Sequence, residues 1–248
     1  MTCRPRLEIR VYEDVDRLSA ALAEGIARLA DRAVRDQGRF SLALSGGNTP
    51  RPLYRLLASA YRERIPWGAV HAFWGDERYV PPDDPRSDYR MARETLLDHV
   101  PIPPDHVHPF PTLLPRPEEA AQAYERTLRS HFSGCWPRFD FILLGLGPEG
   151  HTASLFPGSP ALGERARWVT AARVRADPPL RLTLTLPAIN HAAHIDFLVV
   201  GEEKAAAVAA ALAERPDVNA CPAAGVWPSD GKLIWWLDEG AAKALDGS

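Results

Sequence analysis

Gly145-Leu146-Gly147-Pro148-Glu149-Gly150-His151 sets an imidazole directly behind a glycine-rich turn, with a carboxylate two residues before it. An imidazole titrates near neutrality and both accepts and donates protons, so His151 suits general acid–base work. Glu149 then either orients or tunes it, or merely caps a turn. The stretch also matches GxGxxG after an apolar run, the pattern of a dinucleotide loop. That reading fails, because Pro157 and Gly158 interrupt any following helix and no acidic residue ends a second strand about 20 residues on.

Two further polar segments follow buried-looking runs. In Ser45-Gly46-Gly47-Asn48-Thr49-Pro50 the glycines allow a sharp turn and close approach of a ligand, and the helix expected next offers unpaired N–H groups. The segment is an anion cradle or a plain strand-to-helix turn; without Gly-Lys-Ser/Thr it is not a nucleotide P-loop. Asp76-Glu77-Arg78 is either solvated charge or a means of holding phosphate through the paired donors of Arg78. Lys204 is one of only three lysines and falls in the first turn of an expected helix, where a cation opposes the helix dipole. A ligand anion would explain it; a solvent-facing lysine eased by Glu202 and Glu203 is the alternative. His99, His106 and His108, and His191 and His194, lack metal-binding spacing and are expected to be structural or surface residues, so no metal site is anticipated.

These segments need a scaffold that brings them together. Apolar runs predict strands at Leu7–Val11, Phe40–Leu44, Val70–Trp74, Phe139–Leu144, Leu180–Leu184, Ile195–Val200 and Leu233–Leu237. Helical periodicity predicts helices over 14–37, with Asp14 as cap and Gly38 as stop, and at about 50–60, 89–97, 117–132 and 202–213. Asn48 or Thr49 is expected to cap the second helix. Proline-rich stretches at 80–85, 100–117 and 177–179 read as loops. The alternation implies an α/β fold: a doubly wound, mainly parallel sheet flanked by helices, Rossmann-like, forming a single domain over 1–248. Ligands of such sheets bind beyond the carboxyl ends of the strands, where all three polar segments fall.

Composition narrows the function. With 248 residues, 46% hydrophobic content and net charge −3, the chain has material for a sizeable core and no global attraction to nucleic acid or anionic lipid. Cys3, Cys135 and Cys221 form neither a CxxC pair nor an even set, which fits a reducing compartment. The charged N-terminus and the absence of any run of about 18 apolar residues predict a cytoplasmic protein without a membrane segment.

Taken in order, SLALSGGNTPRPLY, FWGDERYVPPDDPRSDY, DFILLGLGPEGHTASLFPG, RLTLTLPAINHAAHIDFLVVGEEK and PAAGVWPSDGKLIWWLD resemble the 6-phosphogluconolactonase family, whose fold is that of sugar-phosphate isomerases and deaminases. Asn48, where serine is common, Asp88, where Ser-Asn is usual, and Glu149, where aspartate is usual, depart from the pattern. The resemblance implies hydrolysis of 6-phospho-D-glucono-1,5-lactone in the oxidative pentose phosphate pathway, with a sugar-phosphate lactone as partner and no required cofactor. It implies His151 as proton carrier with Glu149 beside it, and Arg78 and Lys204 on the phosphate, helped by Ser45, Gly46, Gly47, Asn48 and Thr49. Backbone N–H groups near Gly46 and Gly47 and from Gly147 to His151 are candidates for an oxyanion or sugar hydroxyls. A glucosamine-6-phosphate deaminase-like enzyme would share the cradle but carry DEY and GHIAFNEP-like segments; a non-enzymatic sugar-phosphate sensor would bind without turnover.

Overall fold

The computed structural model describes residues 6–245. Cys3 and the charged segment 1–5 lie outside them. The chain runs β1 (Arg6–Tyr12), α1 (Val15–Gln37), β2 (Phe40–Leu44), α2 (Arg51–Ala58), β3 (Val70–Trp74), β4 (Asp76–Arg78), α3 (Asp88–Thr95), α4 (Pro117–His131), β5 (Phe141–Leu144), β6 (Val169–Arg173), β7 (Leu180–Leu184), α5 (Leu186–Ile189), β8 (His194–Val199), α6 (Ala205–Leu212), β9 (Lys232–Asp238) and α7 (Glu239–Ala242).

Six strands form one parallel sheet in the order β1-β9-β8-β5-β2-β3. All residues of β2 and β5 are buried, as expected for strands covered on both faces. α1 starts as predicted: the Asp14 carboxylate accepts from Arg17 N–H at 2.8 Å, and Gly38 closes it in the left-handed region at φ 78°. Its apolar stripe of Leu18, Leu22 and Ile26 is buried in the core.

Chain order reverses direction between β2 and β5: β3 lies on one side of β2 and β5 on the other. This is the switch point at which a crevice opens beyond the strand ends, between the Ser45 and Gly145 loops. Two sequence expectations are corrected here. Leu180–Leu184 forms a strand, but in a separate antiparallel sheet, β4-β7-β6, because Arg78 pairs with Arg181 and Asp76 with Thr183. Gly75 joins the sheets: its N–H donates to Leu44 at 3.1 Å and its carbonyl accepts from Leu184 at 2.8 Å. The second correction concerns α2, where neither Asn48 nor Thr49 caps. Pro50 occupies that position and no side chain closes the end; the N–H of Arg51 donates instead to the Asn48 carbonyl at 3.1 Å, and Pro52 has no N–H to satisfy.

The core contains one buried carboxylate with a consequence for stability. Asp196 on β8 is 2% exposed, accepts from Trp236 Nε1 at 2.8 Å through Oδ2, and has no partner for Oδ1. Burial pushes its carboxyl up to about 7, against the opposing hydrogen bond from Trp236. A folded-state value above the unfolded one means that the group costs nothing below about pH 4, and that stability falls by ~1.4 kcal/mol per pH unit from there to about pH 7. Asp196→Asn is therefore expected to stabilise the protein more at pH 8 than at pH 5, by roughly 2–3 kcal/mol in denaturant titrations. An equal effect at the two pH values would contradict this.

Candidate active site

The loops after β2 and β5, strand β4 and the turn before α6 enclose a cleft of about 540 Å³. Ser45, Gly46, Gly47, Asn48, Thr49, Arg78, Gly147, Glu149, His151 and Lys204 all line it, joined by Asp76, Asp88, Ser154, Phe156 and Arg181. Residues far apart in the chain meet here because their strands are parallel neighbours or roof them.

Tyr54, fully buried on α2, clamps the first loop. Its hydroxyl accepts from Ser45 N–H at 2.9 Å and donates to the Ser45 carbonyl at 2.7 Å. Beneath the loop lies Asp88, 1% exposed at the start of α3. A Cβ on Gly46 would fall 1.8 Å from its Oδ1, so only glycine lets the loop pass over this carboxylate. Asp88 accepts from Gly47 N–H at 3.3 Å and forms an ion pair with Arg78. Burial, and next the charge of Glu77, push the Asp88 carboxyl well above its usual value, with Arg78 opposing.

Glu77 does not face solvent as part of a charge run. It is 2% exposed and accepts from the N–H groups of Arg78, Asp88 and Tyr89 at 2.7, 2.8 and 2.8 Å and from Ser87 Oγ at 3.1 Å. One carboxylate thereby ties β4 to the N-terminus of α3. The alternation of a strand sends its neighbours Asp76 and Arg78 to the opposite face, toward the cleft. Asp76 accepts from Ser154 Oγ at 2.7 Å.

Arg181 was not anticipated. It sits directly opposite Arg78 in the β4–β7 ladder and is 6% exposed, with its Nε lacking a partner. Like charges paired across strands destabilise a sheet unless something lies between them. Burial first, then the charge of Arg78, pull the Arg181 guanidinium below its ordinary value. In the sequence, Arg181 is only the polar residue of an apolar strand; the antiparallel pairing that sets it against Arg78 has no local signature. Lys204, in the tight turn that starts α6, has no carboxylate within ion-pair distance among the described residues.

On the opposite wall, the His151 ring stacks on Phe156 with centroids 4.0 Å apart and an interplanar angle of 13°. Its Nδ1 lies 3.1 Å from Glu149 Oε1, close enough for an ion pair but off the direction of a good N–H···O bond. The loop is tied by Thr152 Oγ donating to the Gly145 carbonyl at 2.8 Å, and Ala153 is held at φ 46°, a strained value for a residue with a side chain. Of the backbone donors expected from Gly147 to His151, two are taken: the N–H of Gly147 donates to the His151 carbonyl at 2.8 Å and that of Gly150 to the Gly147 carbonyl at 2.9 Å, while those of Glu149 and His151 meet no acceptor among the described residues. Gly147 matters by its missing side chain, since a Cβ there would fall 1.9 Å from His151 Nδ1.

An open parallel sheet with a glycine loop at its switch point, a cross-strand arginine pair and an imidazole flanked by a carboxylate define an α/β protein whose cleft sets cationic side chains opposite a histidine. The chain belongs to the family described as glucosamine-6-phosphate isomerases/6-phosphogluconolactonase, whose model matches residues 13–235. It is 47% identical over 217 residues to the 6-phosphogluconolactonase of Synechocystis, covering 86% of this chain and 88% of that one. It is 42% identical over 240 residues to the Nostoc 6-phosphogluconolactonase, covering 96% and 98%. The solved 6-phosphogluconolactonase from Trypanosoma brucei superposes with a TM-score of 0.86 at 34% identity, over 97% of this chain and 99% of that one. A monomeric glucosamine-6-phosphate deaminase, at 21% identity and a TM-score of 0.81, shares the fold.

Gly147→Ala should displace the imidazole and lower turnover by about 10²-fold, the cost of misplacing a reacting group by roughly 1 Å. Gly163→Ala, with open space around the new Cβ, should leave turnover unchanged. Equal activity in the two variants, measured with the lactone substrate proposed below, would show that His151 placement does not limit the reaction.

Proposed function

We propose that this protein hydrolyses 6-phospho-D-glucono-1,5-lactone to 6-phospho-D-gluconate in the oxidative pentose phosphate pathway. The observation that carries the reading is the cleft's two-ended chemistry: His151 beside Glu149 on one wall, and Arg78, Arg181 and Lys204 on the others. The relatives' names agree with it. The reading treats residues 1–248 as one lactonase domain working in the cytosol, where the free thiols of Cys135 and Cys221 would persist.

In this mechanism the 6-phosphate, a dianion, sits between Arg78 and Arg181 and relieves their repulsion, with Lys204 as a third cation. Fixing the remote phosphate positions the lactone carbonyl at His151. With Nδ1 turned to Glu149, the other ring nitrogen takes a proton from water as the water oxygen bonds to the carbonyl carbon. The tetrahedral intermediate then collapses, the bond from that carbon to the ring oxygen breaks, and the imidazolium returns its proton to the departing oxygen. The acid formed ionises, so the net products are the open phosphosugar carboxylate and one proton. N–H groups of Gly46, Asn48 and Thr49 on one wall and of Glu149 and His151 on the other, which no described residue accepts from, are backbone donors left for the oxyanion or the phosphate.

His151→Ala should lower kcat by about 10²- to 10⁴-fold with little change in KM, in a pH-stat assay corrected for spontaneous opening of the lactone. Arg181→Met should instead raise KM by about 10- to 100-fold and spare kcat, the loss expected for charge-assisted hydrogen bonds to a phosphate. Ammonia release from glucosamine 6-phosphate, with no lactone hydrolysis, would move the assignment to a deaminase. Tight binding without turnover of either substrate would make the cleft a sensor.

A further inference from the structure

A second constellation lies away from the cleft, toward the start of β3. His71 is the second residue of that strand, four positions or ~13 Å before the Gly75 turn at which the cleft begins. Val107 pairs with Ala72 in a parallel bridge, and His108 N–H donates to the Ala72 carbonyl at 2.9 Å, so this part of the proline-rich stretch lies along the edge of the sheet. His131 ends α4 beside them. One ring nitrogen from each of His71, His108 and His131 lies within 4.8 Å of the other two.

The distances and the unmet hydrogen bonds both point to a ligand. His71 Nδ1 and His108 Nε2 are 3.2 Å apart, within hydrogen-bond reach of each other. Two imidazole nitrogens bound at ~2.05 Å to one tetrahedral ion would stand ~3.3 Å apart, so this edge of the cluster is already at coordination spacing. Buried polar atoms ordinarily find partners, yet His131 Nε2 has none. His106, whose ring stacks on His71 with centroids 3.8 Å apart, likewise has an unpartnered Nδ1. Phe73 and Phe132 pack against the rings, with Phe73 centroids 4.5 Å from His108 and 5.0 Å from His131. The charged neighbours are Arg39 and Asp105, of opposite sign.

We propose that His71, His108 and His131 bind a divalent transition-metal ion of the zinc class through three imidazole nitrogens, the fourth tetrahedral position falling to water. Imidazole suits such ions, and three histidines with one open position are a known donor set for zinc. The ion would clip α4 and the segment around His108 to the edge strand β3, a stabilising role separate from the cleft and independent of the hydrolysis proposed above.

The test is calorimetric titration of the chelator-stripped full chain with zinc chloride, alongside cobalt(II) absorption. Expected are one ion per chain in the wild type and in His151→Ala, a Kd weakened about 100-fold or more in His108→Gln and His131→Gln, and visible cobalt bands typical of a tetrahedral nitrogen site. Zinc at about 100 times Kd should raise the wild-type Tm by about 5–10 °C and leave those two variants unmoved. The proposal is overturned by an absence of stoichiometric binding, by undiminished binding in both variants, or by binding that disappears in His151→Ala. Should the glutamine variants fail to fold, the wild-type cobalt spectrum decides: tetrahedral nitrogen bands support the site, and an octahedral spectrum overturns it.

Discussion

The Asp88 carboxylate is the contact on which the cleft depends. It is buried under Gly46, bonded to Gly47 N–H and paired with Arg78, so one group sets both the path of the loop after β2 and the reach of the arginine from β4. A buried carboxylate of this kind is tolerated only while its partners remain, and breaking such a pair costs about 3–5 kcal/mol. Glu77 holds Asp88 in place from behind through the backbone at the start of α3. Two buried acidic residues thus preset a cationic wall, and the phosphate of a ligand would meet donors already in position.

The same economy governs the opposite wall. His151 is fixed by a glycine with no room for a Cβ, by the Phe156 ring and by the strained backbone at Ala153. Strain held in a loop by surrounding hydrogen bonds is characteristic of sites that need one geometry. The crevice between the walls follows from topology, because β2 and β5 are neighbours whose connections leave on opposite sides. Activity in this reading arises from placing a remote anion and a proton carrier in one frame, with Glu149 at the ring nitrogen that faces away from the reaction.

What was legible in the sequence follows from how local its physical cause is. Phe40–Leu44 and Val70–Trp74 are strands with the predicted bounds because unbroken apolar runs of that length have few other uses, and Asp14 and Gly38 mark the ends of α1 by short-range capping. The polar segments behind those strands met in one cleft because a parallel sheet sends its carboxyl ends the same way. β4 was hidden because Asp76-Glu77-Arg78 has no apolar signature, and β6 because Val169–Arg173 is short and weakly patterned. Arg181, the buried role of Asp88 and the meeting of His71, His108 and His131 depend on pairings between distant segments, His71 and His108 being 37 residues apart. In the sequence Gly147 is only one glycine of the turn before His151, whereas in the fold its missing side chain makes room for the His151 ring.

The central claim is that phosphate held at Arg78, Arg181 and Lys204 delivers a lactone carbonyl to His151. The most direct measurement compares hydrolysis of freshly generated 6-phosphogluconolactone with that of unphosphorylated glucono-1,5-lactone by the wild-type protein, each corrected for its spontaneous rate. The account predicts a kcat/KM for the phosphorylated lactone higher by about 10³-fold or more, as binding energy from the remote group is used at the reacting centre. Comparable values for the two lactones would contradict it, since the cationic wall would then contribute nothing to catalysis.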